Sequence, residues 1–353
     1  MREGYRLTAH HGAPAAPRDA AAARALREAL LAGLAAGESM DGRDLTGADL
    51  AGAALAGANL AGAFLEGAKL AGADLRGADL SRAVLARADL SGADLGGARL
   101  AGANLGGAAL RDARLAEADL TAAILNRAEL RGASLAGARA EKAELGEARL
   151  AGADLSGLRA PGIVLQKVDL TGLRLSGADL SQATLIECRL DRADLSGAIM
   201  EGATLLSSQA CGADLRKARL ARIRVVGESS LAEADLREAD LDGANLRGAK
   251  LSGARLEGAR LGAADLSGAD LRGARLAGAT ARDSRWVRAD LTGAVADGAD
   301  LMGAILQKAT LSGARFHGAS LYGADLSRVV VQTPLALESA NVKKVRFRPV
   351  RVR

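Results

Sequence analysis

The chain has 353 residues, a net charge of +5, 25% charged and only 2% aromatic side chains. At that length two or three ordinary domains would be expected. The charge is confined: residues 1–41 balance five basic against five acidic groups, the body is neutral, and the tail from Glu338 carries six cations and one acid. That placement argues against a nucleic-acid-binding body, leaving only the tail for such a role.

Residues 1–17 read as irregular, with Pro14, Pro17 and the His10–His11 pair. Over 18–36, Leu26, Leu30 and Leu34 recur at i, i+4 and i+8 before Gly37, which predicts a helix with one apolar face. The run Ala29–Ala36 is too short to cross a membrane, and no secretory leader is visible. A cytoplasmic protein with no membrane span is expected.

From Leu45 a leucine or close substitute returns every fifth residue as far as Val225, then from Leu231 to Val331 after a slip at Val226–Ser230, fifty-eight units in all. A helix would rotate successive leucines by roughly 140°, and a continuous strand would throw them onto opposite faces. A chain that turns a corner once per repeat can bury them all. In the unit Ala73-Asp74-Leu75-Arg76-Gly77, Ala73 and Leu75 then point inward, Asp74 and Arg76 outward, and the glycine takes the corner. Four units make a coil of about twenty residues, and coils stack at roughly 4.8 Å.

This unit, repeated over residues 43–331, resembles the pentapeptide-repeat family. The resemblance implies an all-β solenoid, a right-handed quadrilateral parallel β-helix. The 18–36 helix would be its N-terminal α-helical cap and the end of the chain a short C-terminal capping segment. The expected divisions are 1–41, 42–227, 228–331 and 332–353.

Departures from the repeat carry the remaining information. Leu158 and Ala160 exchange large for small, which conserves core volume, and Ala281 and Trp286 stand in leucine positions. After Val331 the repeats are expected to stop, with Pro334 breaking the chain, a helical turn over Leu335–Ala340 and a strand within Lys343–Arg353. Cys188 falls at an inward position and Cys211 at an outward one, too far apart for a disulfide.

Residues twenty apart stack on one face. Asp49, Lys69, Asp89, Ala109, Glu129 and Arg149 mostly alternate in sign, while Asp74–Asp94 and Asp194–Asp214 stack like charges. Another face carries Phe64, Val84, Ile124 and Val164 before the leucine, and Ile186 and Leu206 after it. Such a clustered apolar column marks an interaction surface or one covered by a terminus. The basic tail, Lys343, Lys344, Arg346, Arg348, Arg351 and Arg353, either caps the last coil or meets an acidic partner.

No nucleophile–base pair or metal cluster stands out around His10, His11 or His317, and the glycines mark corners, not phosphate loops. No enzyme activity, cofactor or metal is expected. The leading reading is a non-catalytic scaffold presenting a rigid face to another protein, with a homodimer through a terminus or the apolar face as a further possibility. Family resemblance adds two alternatives: a resistance or immunity factor binding DNA gyrase or topoisomerase by DNA-like shape, and an adaptor of a bacterial secretion system. The alternating charge fits a DNA mimic poorly.

Overall fold

The computed structural model describes residues 2–16, 18–333 and 335–350, without the side chains of residues 2, 3 and 348–350. It comprises two compact units, Met1–Arg174 and Leu175–Arg353. The first begins with helix α1 (Arg2–Thr8), a 3-10 turn (Ala9–His11) and helix α2 (Ala20–Ala35), and ends near strand β1 (Val164–Gln166). The second contains β2 (Thr184–Ile186), β3 (Thr204–Leu206), β4 (Arg224–Val226), β5 (Asp325–Val330) and β6 (Arg346–Val350).

Within each unit the five-residue period produces the same hydrogen bonds. Leu50 N donates to Lys69 O (2.7 Å), Gly52 N to Ala71 O (2.9 Å), and Lys69 N donates back to Ala48 O (2.9 Å). Ala53 N closes the corner onto Leu50 O (3.1 Å). Leucine and alanine share the interior: Leu75, Ala78 and Leu80 have no exposed surface. The corner residue has positive φ whether it is Gly52 (63°) or Lys142 (60°). Left-handed backbone costs a non-glycine residue about 1–2 kcal/mol, so pairing between coils imposes the corner and glycine only eases it.

One corner amide, that of the residue after the leucine, has no coil-to-coil partner in this scheme. The outward Asp or Asn supplies it. Asp79 Oδ1 accepts from Ser81 N (3.0 Å) and Asn59 Oδ1 from Ala61 N (3.2 Å), each an Asx turn. Where the preceding residue cannot serve, one stacked a coil away does: Gly146 N donates to Asn126 Oδ1 (2.8 Å) and Gly262 N to Asp242 Oδ1 (2.8 Å). The recurring aspartate is therefore a corner fastening.

The slip in the second unit has a similar cause. At the β2 and β3 corners a serine replaces the usual turn bond. Cys188 N donates to Ser208 Oγ (3.0 Å), which donates to Leu185 O (3.1 Å), and Ser208 N donates to Ser229 Oγ (3.0 Å). An unbroken twenty-residue spacing from Ser208 would turn Glu228 inward. The additional residue places Ser229 there instead, 2% exposed, and leaves Glu228 outside, 2.9 Å from Lys250 Nζ. Partners across this coil accordingly lie twenty-one apart, as in Asp214↔Asp235. Leu158 and Ala160 are both buried, as their exchange of volume predicts.

Two expectations about the ends change. The segment before Pro17 contains α1, which is too short to be helical alone and is held by groups some sixty to a hundred residues away. After Val331 the chain keeps winding. Phe316 N donates to Ala336 O and Leu321 N to Asn341 O (both 2.8 Å), and β6 pairs in parallel with β5, Leu326 opposite Phe347. Leu337, Val342 and Phe347 continue the period after a second one-residue slip. Ser339 and Lys344 take the corner conformation (φ 59° and 58°), and no helical turn forms over Leu335–Ala340. Pro17, Pro334 and residues 351–353 lie outside the described residues.

Candidate interaction surfaces

In the first unit, the beginning of the apolar column lies beneath the N-terminal arm. Val84 has no exposed surface and packs with Ala9 and Ala86, with Phe64 against this cluster. The Tyr5 ring lies 6.2 Å from that of Phe64, and the Arg6 guanidinium 5.4 Å above it. Ile124 is buried as well, 7% exposed. Val164, by contrast, is 61% exposed. In the second unit Leu206 is 37% exposed, and Ile186 is partly so.

The arm is fastened by residues that sequence reasoning missed. Glu66, only 2% exposed, accepts from Tyr5 OH, from Ala15 N (3.0 Å) and from Arg87 Nη1 (2.8 Å). Arg87 also donates to the carbonyls of Ala9 (3.1 Å), His10 (3.0 Å) and Gly12 (2.5 Å). Buried Asn104 donates to Arg6 O (2.8 Å). The hydrogen bond to Glu66 raises the Tyr5 phenol pKa to about 12. Gly106 departs from the corner position, but so do Gly96, Gly146 and Gly262, so the sequence alone does not single it out.

Helix α2 covers the first coil. Its Leu30 is 1% exposed, and Arg27 Nη1 donates to the carbonyls of Asp49 (3.2 Å) and Ala51 (2.8 Å). Arg18 Nε donates to Thr46 O (2.5 Å). Those carbonyls belong to the edge that a preceding coil would have paired, so the two arginines satisfy an otherwise open sheet edge.

Of the basic tail, Lys343, Lys344 and Arg346 are exposed on the last described coil. Lys344 Nζ lies 5.2 Å from the centre of the Tyr322 ring. Arg348 is placed by its backbone opposite Ser327, while Arg351 and Arg353 lie outside the described residues. Val342 and Phe347, at positions that are buried leucines in earlier coils, are 48% and 49% exposed.

Much of the surface charge is paired along and between coils. Arg99 reaches Asp79 (3.6 Å), Arg114 reaches Asp94 (3.7 Å) and Arg149 reaches Glu129 (2.9 Å). Where aspartate faces aspartate, an arginine two residues on folds back. Arg76 holds Asp74 through Nε–Oδ1 (2.8 Å) and Nη2–Oδ2 (2.7 Å), and Arg216, Arg237 and Arg272 treat Asp214, Asp235 and Asp270 alike. The Arg76 hydrogen bonds bring the Asp74 pKa down to about 2. These carboxylates are kept ionised, the opposite of what a general acid needs. Among the described residues, no helix is long and apolar enough to cross a membrane, and no His, Cys, Asp and Glu side chains cluster as metal ligands.

The winding, the corner conformation and the paired coils define a repeat protein whose unit is five residues. The family model for pentapeptide repeats matches in eight copies between residues 48 and 330, and the chain belongs to that family, whose fold is the right-handed quadrilateral β-helix. Solved structures that resemble it include HetL of the cyanobacterium Nostoc sp., involved in regulating heterocyst differentiation. That protein is 32% identical, with 63% of this chain and 86% of HetL covered and a TM-score of 0.30. QnrB1, a plasmid-mediated fluoroquinolone resistance protein, is 22% identical, covering 61% of this chain and 88% of its own at a TM-score of 0.32. Rfr23 of the cyanobacterium Cyanothece is 20% identical, covering 53% and 86% at 0.13. No curated protein matches the chain.

Proposed function

We propose that the protein is a non-catalytic scaffold, acting in the cytoplasm, that presents a preformed β-helical surface to a protein partner. The observation that carries this reading is the exposure of Val164 (61%), a large apolar side chain on a surface where ion pairs such as Arg99–Asp79 and Arg149–Glu129 engage much of the charge. A backbone already ordered by coil pairing loses little conformational entropy on binding. The sign-alternating surface favours this reading over action as a DNA-shaped gyrase ligand, which would need uncompensated negative charge. The test is affinity purification with the intact chain and with a Val164→Asp variant of unchanged circular dichroism. Specific co-purifying proteins should be lost from the variant; retention of the same set would remove the reading.

A further inference from the structure

Residues 5–10 occupy a recess with a built floor and walls. Phe64, Val84 and Asn104 form the floor, Glu66 and Arg87 the walls, and Gly106 the far end. Gly106 has no conformational reason to be glycine, since its φ is not positive. It has a steric one: an added Cβ would lie 2.4 Å from His10 Cβ and Cγ. A glycine outside the corner position, a buried glutamate and a fully buried asparagine thus converge on one short peptide.

The occupant is held by polar contacts more than by apolar area. Tyr5 and Leu7 remain 43% and 57% exposed, and Ala9 is the arm's apolar plug at 2%. His10 is its weak point. Both ring nitrogens are buried without a hydrogen-bond partner. Of the groups facing it, His11 and Arg87 disfavour a cationic ring, while Glu144 and Asn104 favour one. Burial, then His11, hold the imidazole below the usual histidine range.

We propose that this recess is a receptor for a short helical peptide, filled in the resting chain by its own residues 2–11, and that protonation of His10 releases that segment and frees the site for the same segment of a second copy. The sign follows from the linkage of proton binding to docking. The released arm has an ordinary histidine near pH 6.5, and docking lowers that value. The released state therefore binds more protons, and docking weakens progressively as pH falls below about 6.5. At the alkaline end docking raises the Tyr5 pKa from 10.0 to about 12, so docking weakens as pH rises from 10.0 toward 12. This proposal does not depend on the partner surface at Val164.

The test uses the full-length chain. Hydrogen–deuterium exchange of residues 2–12, corrected for intrinsic rates, should be slow at pH 7.5 and faster at pH 5.5 by up to about tenfold, the ceiling for one histidine with a released-state pKa near 6.5. His10→Leu should keep the arm protected at both values, and Gly106→Leu should leave it unprotected at both, with the coils protected throughout. A fluorescent peptide of residues 1–12 carrying His10→Leu should bind the intact chain at pH 5.5. At pH 7.5 the tethered arm, at millimolar effective concentration, should exclude it. Equal arm exchange at the two pH values, acid release that persists in His10→Leu, or no peptide binding once the arm is released would each overturn the proposal.

Discussion

Trp286→Ala is expected to destabilise the second unit by about 3–5 kcal/mol. Trp286 is fully buried at a position that is leucine in most repeats, and its neighbour in the pattern, Ala281, is a leucine position occupied by a small residue. The indole Nε1 donates to Ser284 Oγ (2.7 Å), and that hydroxyl donates to Ala281 O. A large and a small residue thus stand at successive leucine positions, which is expected to conserve core volume, with the serine satisfying the indole N–H inside the core. The expectation has a sign as well as a size. Ala281→Leu alone should overpack the column and cost about 1–3 kcal/mol, whereas Ala281→Leu combined with Trp286→Leu restores the ordinary repeat and should recover most of either loss. Urea unfolding followed by far-ultraviolet circular dichroism gives the double-mutant cycle. Additive effects of Ala281→Leu and Trp286→Leu would show that these two positions are not one packing unit.

Leu30→Asp is expected to have a comparable thermodynamic effect and a larger effect on solubility. Leu30 is 1% exposed on α2, and its removal costs about 2–5 kcal/mol before the burden of a carboxylate in that site. Once α2 lifts, Arg27 leaves the carbonyls of Asp49 and Ala51, and the first coil presents an open edge above buried leucines. Each coil rests mainly on its neighbours, so loss should spread inward from that end. Size-exclusion chromatography should show oligomers for Leu30→Asp. Ala32→Asp, on the exposed side of the same helix, should stay as the wild type. Equal behaviour of the two variants would mean that α2 does not seal the coil.

The repeating body was legible because one constraint, a leucine every fifth residue, admits one winding. The two ends were less so, for different reasons. Leu337, Val342 and Phe347 keep the period, but a second slip and the basic residues around them disguise it. Helix α1 depends on Glu66, Arg87 and Asn104, which are unremarkable at their repeat positions, so its fold is written elsewhere in the chain. The Asp74–Asp94 stack reads as like charges in the sequence, and the fold of Arg76 back onto Asp74 offsets it. The apolar column was visible as a departure from the pattern, yet its spacing could not distinguish Val84, buried under the arm, from exposed Val164.

The central claim is that the charges mostly hold the coils and corners while exposed apolar side chains meet the partner. The direct measurement is retention of co-purifying proteins on the intact chain as salt is raised to about 0.5 M, where exposed charge–charge attraction is screened within a few ångströms. Retention across that range, with loss in the Val164→Asp variant, is the predicted result. Release of the partners by moderate salt would show that charge, not the apolar surface, makes the contact, and would contradict the account.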